Sequence, residues 1–293
     1  MTIQYSFYNT VDDLNFEDEL KTKVNGYYKN HKEEIDKLSL EAYNGNVPNF
    51  QICSRKPFRR LVILIRVVTD LYQEFIDRNI PREIYLNTIS DIKLRQNIYI
   101  EKTGNYGLSK EDVIWFRHLV AFKIFKIGSL QYQIFNMIYL DHTIIDGGYM
   151  KFSNKVKSDI PSGAEVLNVH IPAKADLSNE AVKYSIKKAK EFFNLYFPEF
   201  KPKAFICYAW LLYSGNKHVL DESSNIIKFA ENFTIISEVN DNSSAIDYIF
   251  GKKYKSKSDY PQKTNLQRRA LLNLDCLGYS CGIIEFLVQG QDF

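Results

Sequence analysis

The chain has 293 residues, 45% of them hydrophobic and 14% aromatic, with 13 glycines and 8 prolines; at about 150 residues per domain this is chain for two domains, and collagen-like, low-complexity and disordered classes are excluded. The 38 basic and 35 acidic residues leave a net charge of +3, divided evenly as 19 against 17 up to residue 127 and 19 against 18 beyond it. Neither half carries the concentrated positive footprint that a nucleic acid or a membrane surface demands, so neither partner is expected.

Residues 1–127 read as mostly helical. The opening Met1-Thr-Ile-Gln-Tyr-Ser-Phe-Tyr8 has no charged segment followed by an apolar stretch, and the densest apolar run, Leu61 to Ile65, stops at Arg66; no export signal or membrane span is expected. Between Phe58 and Ile76 the apolar positions Phe58, Leu61, Val62, Ile65, Val68, Leu71, Tyr72, Phe75 and Ile76 recur at three- and four-residue spacing, one stripe along a helix. A second helix starts at Pro81 and runs to about Asn97, and a third follows Ser109, with Ser109 and Asp112 at capping-box spacing. The expectation is a helical domain of four to six helices.

After Gly128 the texture turns β-rich. Leu130–Tyr139 and Tyr149–Phe152 flank Asp146-Gly147-Gly148, the chemistry of a hairpin turn. Strand 166–171, a helix from Ser178 to about Phe197 and strand 204–213 have the length of a βαβ crossover, which makes the two strands parallel. A short helix near 224–232, a strand over 233–239, a solvated loop over 251–263, a helix opened by Thr264 and Gln267, and a strand over 282–288 complete the domain.

The βαβ unit carries the main chemical signal. Alternation turns Leu167, Val169 and Ile171 to one side and Asn168 and His170 to the other, so an apolar strand offers two polar groups near its carboxyl end. Ligands collect at such ends in α/β sheets, and the N-terminus of the following helix, at Ser178, offers backbone N–H groups to an anion such as a cofactor phosphate. Histidine transfers protons near neutrality, which makes His170 an acid/base candidate; the competing reading is that Asn168 and His170 bond neighbouring backbone.

Four further signals carry less. Asp141-His142-Thr-Ile-Ile-Asp146-Gly147 matches the HxxxDG pattern of chloramphenicol-acetyltransferase-like enzymes, with polar residues in a turn as the competing reading. Gly278-Tyr-Ser280-Cys-Gly282 fits GxSxG, but helix and strand come in the reverse of the order a nucleophile elbow needs, so Gly278 is read as a helix C-cap glycine. Cys207 sits inside an apolar strand, where a cysteine is a small core residue or else a nucleophile. The four cysteines, Cys53, Cys207, Cys276 and Cys281, lack paired CxxC spacing, so reduced thiols in a cytoplasm and no metal are expected.

The segments Ile80–Asp91, Gly128–Tyr132, Val166–Pro172, Ala204–Tyr213, Ser224–Ile226 and Thr264–Arg268 together resemble a bacterial acyltransferase family that pairs a helical N-acyltransferase N-terminal domain with a GNAT-like C-terminal domain. The resemblance runs in order from about residue 55 to 288 and implies an α/β (α+β) fold: a helical domain over 1–127, then a GNAT-like mixed-sheet domain over 128–293 around a central parallel βαβ unit. It implies transfer of an acyl group from acetyl-CoA or another acyl-CoA to an amine, with strands 166–171 and 204–213 splaying to admit the pantetheine arm. His170 and Asn168 are then the catalytic pair, and Ser178, Asn179, Cys207, Trp210 and Tyr213 line the cofactor. The chain departs from the family pattern at Tyr208, where a histidine is common, and in the loop Pro172–Ser178, which lacks the glycines of the usual pyrophosphate loop. A degenerate acyltransferase fold that binds a metabolite or protein without chemistry is the alternative.

Overall fold

In a computed structural model, the structure describes residues 5–43, 51–139 and 150–286, and the chain divides into two compact units, Met1–Ile127 and Gly128–Phe293. In the first unit α1 (Phe7–Asp13), α2 (Asp18–Asn30) and α3 (Lys32–Tyr43) precede a 3-10 turn at Gln51–Ser54. Then come α4 (Pro57–Asp77), α5 (Arg82–Thr103), α6 (Lys110–Val120) and β1 (Ile124–Ile127).

Helix α4 is the hub of this unit. Its run from Leu61 to Ile65, with Val67, Val68, Leu71 and Phe75, is buried on nearly every side, and α1, α2, α3, α5 and α6 pack against it. A helix apolar all round needs such enclosure. Pro57 opens it, where a missing N–H costs nothing. Helix α5 ends on Gly104 in the left-handed region, φ 69°, and the Ser109–Asp112 capping box opens α6 as its spacing predicts. Between α5 and α6 the Arg95 guanidinium bonds Asp91 at 2.8 Å and Asp112 at 2.9 Å, while Trp115 Nε1 donates to Asp91 at 3.3 Å.

The second unit is a mixed α/β layer. Its elements are β2 (Leu130–Asn136), α7 (Asn154–Asp159), β3 (Glu165–His170), α8 (Asn179–Tyr196), β4 (Ala204–Ala209), α9 (Asn225–Ala230), β5 (Thr234–Val239), α10 (Ser243–Phe250), α11 (Asn265–Leu272) and β6 (Tyr279–Glu285). The strands lie in the order β2-β3-β4-β6-β5. The β3/β4 pair is parallel, as the crossover length predicts, while β2/β3, β4/β6 and β5/β6 are antiparallel.

Helix α8 covers one side of this sheet. Val182, Ser185, Ile186, Ala189, Phe192 and Phe193 are its buried stripe, and Ser185 Oγ meets the Tyr132 hydroxyl at 2.8 Å. Gly128, at φ 63°, passes so close that a Cβ there would lie 3.0 Å from Ser185 Cβ. The other side holds Met137, Ile160, Val166, Ala204, Ile206 and Cys281. A separate core forms beyond the strand ends, where Trp210, Val219, Ala245, Ile246, Ile249, Phe250, Tyr260, Ala270, Leu271 and Leu277 pack together.

Several sequence expectations need correction. Residues 130–136 pair with β3; Met150 to Phe152 carry no strand, and Tyr149 and the Asp146-Gly147-Gly148 turn lie outside the described residues. The second strand of the crossover ends at Ala209, four residues early, and breaks into 3-10 turns at Trp210–Leu212 and Ser214–His218. Gly278 caps no helix: Asn273 follows α11, and Gly278 instead lies against the Tyr213 ring. Helices α7 and α10 fall where sequence signals were weak.

Candidate active site

The site is built on the parallel pair. Its ladder consists of Leu167↔Phe205 and Asn168↔Ile206 and extends no further, so Val169 and His170 of β3, and Cys207 to Ala209 of β4, lie beyond the last paired position. A short parallel ladder that stops before both strands stop leaves their carboxyl ends outside the pairing between them.

Paired residues of adjacent strands point to the same side of a sheet. Asn168 and His170 therefore share a face with Gln133 and Gln131, their register partners on β2, and with Ile206 and Tyr208 on β4. Gln131 and Gln133 are only 4% and 6% exposed. His170 Nε2 lies 2.8 Å from Gln133 Oε1. On β4 the Tyr208 hydroxyl reaches Met137 Sδ at 3.8 Å and the Tyr208 carbonyl accepts from the Tyr279 hydroxyl at 3.0 Å. Burial pushes both phenols well above their ordinary range, which keeps them neutral. The result is a polar strip, three amides and an imidazole, on the face that also holds Val166, Ala204 and Ile206. Amides in such a strip can orient a polar group, and an imidazole is a side chain able to transfer a proton near neutrality.

The other sequence candidates fall in different places. Cys207 is fully buried on the α8 side of the sheet, opposite Gly282, and burial drives its thiol far up, so it is no thiolate nucleophile. Trp210 is part of the core beyond the strand ends. Tyr213 stands between two 3-10 turns, its ring over Gly278 and Gly215. Ser178 is the N-cap of α8 but makes no side-chain cap bond. Its backbone N–H donates to Asp176 Oδ1 at 2.8 Å, and that bond holds the Asp176 carboxyl below the usual carboxylate range. A carboxylate thus already occupies the helix end next to Asn179. His142 and Asp146 lie outside the described residues.

Sequence reasoning missed Gln131 and Gln133. Their signal was the same as that of Asn168 and His170, polar side chains at alternate positions of a β-rich run, but assigning β2 to a hairpin with 149–152 hid the strand that faces them.

Among the described residues no group of three or more His, Cys, Asp or Glu side chains could hold a metal ion, and no helix is long and apolar enough to cross a membrane. The four cysteines are free.

A helical unit followed by a mixed sheet with a short parallel pair at its centre is the architecture of a GNAT-like protein. Residues 7–121 match the N-acyltransferase N-terminal domain and residues 124–279 the GNAT-like C-terminal domain. The chain belongs to the family that joins these two domains. Among solved structures, an acyltransferase in complex with decanoyl-CoA aligns with TM-score 0.69 at 18% identity, over 94% of this chain and 85% of the other. An acyltransferase in complex with decanoyl-CoA and teicoplanin aligns with TM-score 0.64 at 19% identity, over 79% and 67%, and a complex with CoA and 10C-teicoplanin aligns equally well. At these identities the likeness is one of fold. No curated protein sequence matches.

Proposed function

We propose that this chain is an acyl-CoA-dependent N-acyltransferase with an amine of small-molecule type as acceptor. The observation that carries the reading is the parallel ladder that stops at Asn168↔Ile206, with His170 just beyond it. A pantetheine arm carries amides along an extended chain, and the carboxyl ends of two parallel strands, beyond their last paired position, are where such a chain would lie. The solved acyltransferases of the same fold hold decanoyl-CoA, which supports acyl-CoA as the donor.

The chemistry assigned to the residues is as follows. A neutral amine attacks the thioester carbonyl; the C–N bond forms, the C–S bond breaks, and the proton from nitrogen passes through His170 to the departing thiolate. Backbone N–H groups beyond the ladder steady the tetrahedral oxyanion. Asn168, one turn of the pleat away on the same face, orients the acceptor or the ring. No metal enters this scheme. Four free cysteines favour a reducing, cytoplasmic compartment.

The alternative, a fold that binds without chemistry, draws on one observation: the Asp176 carboxylate at the start of α8 repels a pyrophosphate there. Thiol release from acetyl-, octanoyl- and decanoyl-CoA over an amine panel, together with calorimetric titration of CoA, separates the two. The acyltransferase reading expects turnover that falls by about 10²-fold or more in His170→Ala while the thermal transition holds. CoA binding without turnover would favour the binding module; unchanged turnover in His170→Ala would remove that ring from the mechanism.

A further inference from the structure

We propose that a cleft in the helical unit is a nucleotide site, its aromatic side chains taking the base and the start of α4 taking the phosphate. The cleft has a volume of about 510 Å³, the size of a small-molecule site. It follows one face of α2, where Lys23, Gly26, Tyr27 and Asn30 recur at three- and four-residue spacing, and ends at His31, the residue that closes the helix. Phe58 from the first turn of α4 and Tyr106 complete the aromatic lining. Tyr27 and His31 stack, their centroids 4.2 Å apart and their planes at 15°, and Phe58 stands at 89° to Tyr27 with centroids 5.4 Å apart. A base of any identity stacks on such rings. Gly26 keeps the room open, since a Cβ there would meet no atom within 4 Å. The edges are polar. Asn105 spends its Nδ2 on the Thr103 carbonyl at 2.8 Å and keeps its oxygen, and no described hydrogen bond engages the Asn30 amide, so donors and an acceptor stand ready for a base edge.

Charge decides where the phosphate goes. No carboxylate lines the cleft, and the Lys23 ammonium is already paired with Glu19 at 2.6 Å, which leaves that part neutral. Around Phe58 the balance is different. Arg55, Lys56, Arg59 and Arg60 crowd the start of α4, and no Asp or Glu occurs between Glu41 and Asp70. Among the described residues only Arg59 of these four has a carboxylate partner, Glu34. Arg60 is 8% exposed; its Nη1 and Nη2 donate to the Leu108 and Cys53 carbonyls at 3.1 and 3.0 Å, and its Nε has no partner. Neutral carbonyls leave the charge of a buried guanidinium uncompensated, whereas buried charges are as a rule paired. A phosphate supplies that missing counter-charge. Helix α4 adds to the attraction, because no side chain caps it and the N–H groups of its first turn remain for an anion.

The test is calorimetric titration of the full chain with AMP, CMP, adenosine and inorganic phosphate. Both nucleotides should bind, adenosine and phosphate each roughly tenfold more weakly or worse, and added salt should weaken AMP but not adenosine. Gly26→Leu should fill the cleft without harm to α2, since a helix interior favours leucine over glycine: the thermal transition should hold or rise while AMP affinity falls roughly tenfold or more. Replacing Arg55 and Lys56 together by alanine should weaken AMP by roughly tenfold and leave adenosine unchanged. Neither heat nor thermal shift with AMP and CMP at millimolar concentration, AMP affinity unaltered in Gly26→Leu, or adenosine binding as tightly as AMP would each overturn the proposal. Competition with CoA separates the two sources of such a ligand: displacement of AMP assigns the cleft to the nucleotide end of CoA, and AMP binding indifferent to CoA assigns it to a free nucleotide.

Discussion

If the α8 N-terminus takes the CoA diphosphate, as the proposed function requires, Asp176 sets the strength of a site it does not belong to. Its carboxylate caps the amide of Ser178 at 2.8 Å and so supplies from within the chain the negative charge that a helix N-terminus attracts. A diphosphate seeking the same amides must displace it. Asp176→Ala therefore tightens CoA binding by roughly twofold or more at low ionic strength, the scale of one charge at a helix end, read as a lower Kd by calorimetry. Weaker binding in Asp176→Ala would show the carboxylate organising the loop rather than competing with the ligand. The residue-scale reading of the sequence succeeded where period two decided the matter: Asn168 and His170 do share a face, away from Leu167 and Val169. It could not say which layer Cys207 and Trp210 enter, because that depends on neighbouring elements that no local pattern names.

Among the elements, the pair α5 and α6 depends on a charged joint. Asp91 is 3% exposed and has both the Arg95 guanidinium and the Trp115 indole N–H as partners, while Arg95 also reaches Asp112, which closes the capping box of α6. Arg95 lies over the Trp115 ring, 5.3 Å from its centroid. Removing Asp91 leaves the guanidinium with Asp112 alone and the Trp115 indole N–H without that acceptor. Asp91→Ala, which leaves Arg95 paired with Asp112 but removes an acceptor from Arg95 and Trp115, is expected to cost about 1–3 kcal/mol, seen as a lower urea midpoint with an unchanged slope, whereas Ser109→Ala at the cap of α6 costs about 1 kcal/mol. Helix α4 was legible because its stripe is long and regular, and the boxes at Ser109 and Thr264 were legible because a cap is a local motif. Helix α10 was not: Ser243–Phe250 is apolar around most of its girdle and short, which looks like a strand or a loop until the core around Trp210 encloses it.

At the scale of the molecule each unit has its own interior, one gathered around α4 and the other divided between the two sides of a sheet and the cluster beyond it. The order of that sheet, with β6 inserted between β4 and β5, could not be read along the chain, since the last strand enters the middle. The parallel crossover could be, because connection length and a capped helix leave few other topologies. The break of β4 after Ala209 belongs to this scale too. It sends the chain into 3-10 turns that carry Trp210 into one core and set Tyr213 against β6, a choice made by the whole layer rather than by residues 204–213 alone.

The seat of Tyr213 makes the tolerance of this region depend on the order in which changes arrive. A methyl at Gly278 would meet the Tyr213 ring at 2.5 to 2.7 Å, and nothing nearer; a methyl at Gly215 would meet that ring at 2.7 Å but also the Cys276 carbonyl oxygen at 2.2 Å. Gly278→Ala should therefore lower the melting temperature in the wild-type background and become nearly harmless once Tyr213→Ala has emptied the space, whereas Gly215→Ala should stay damaging in both backgrounds. A double-mutant cycle on thermal unfolding reads the difference as a coupling at position 278 that exceeds the one at 215. A lineage carrying the tyrosine is barred from a step that a lineage without it can take freely.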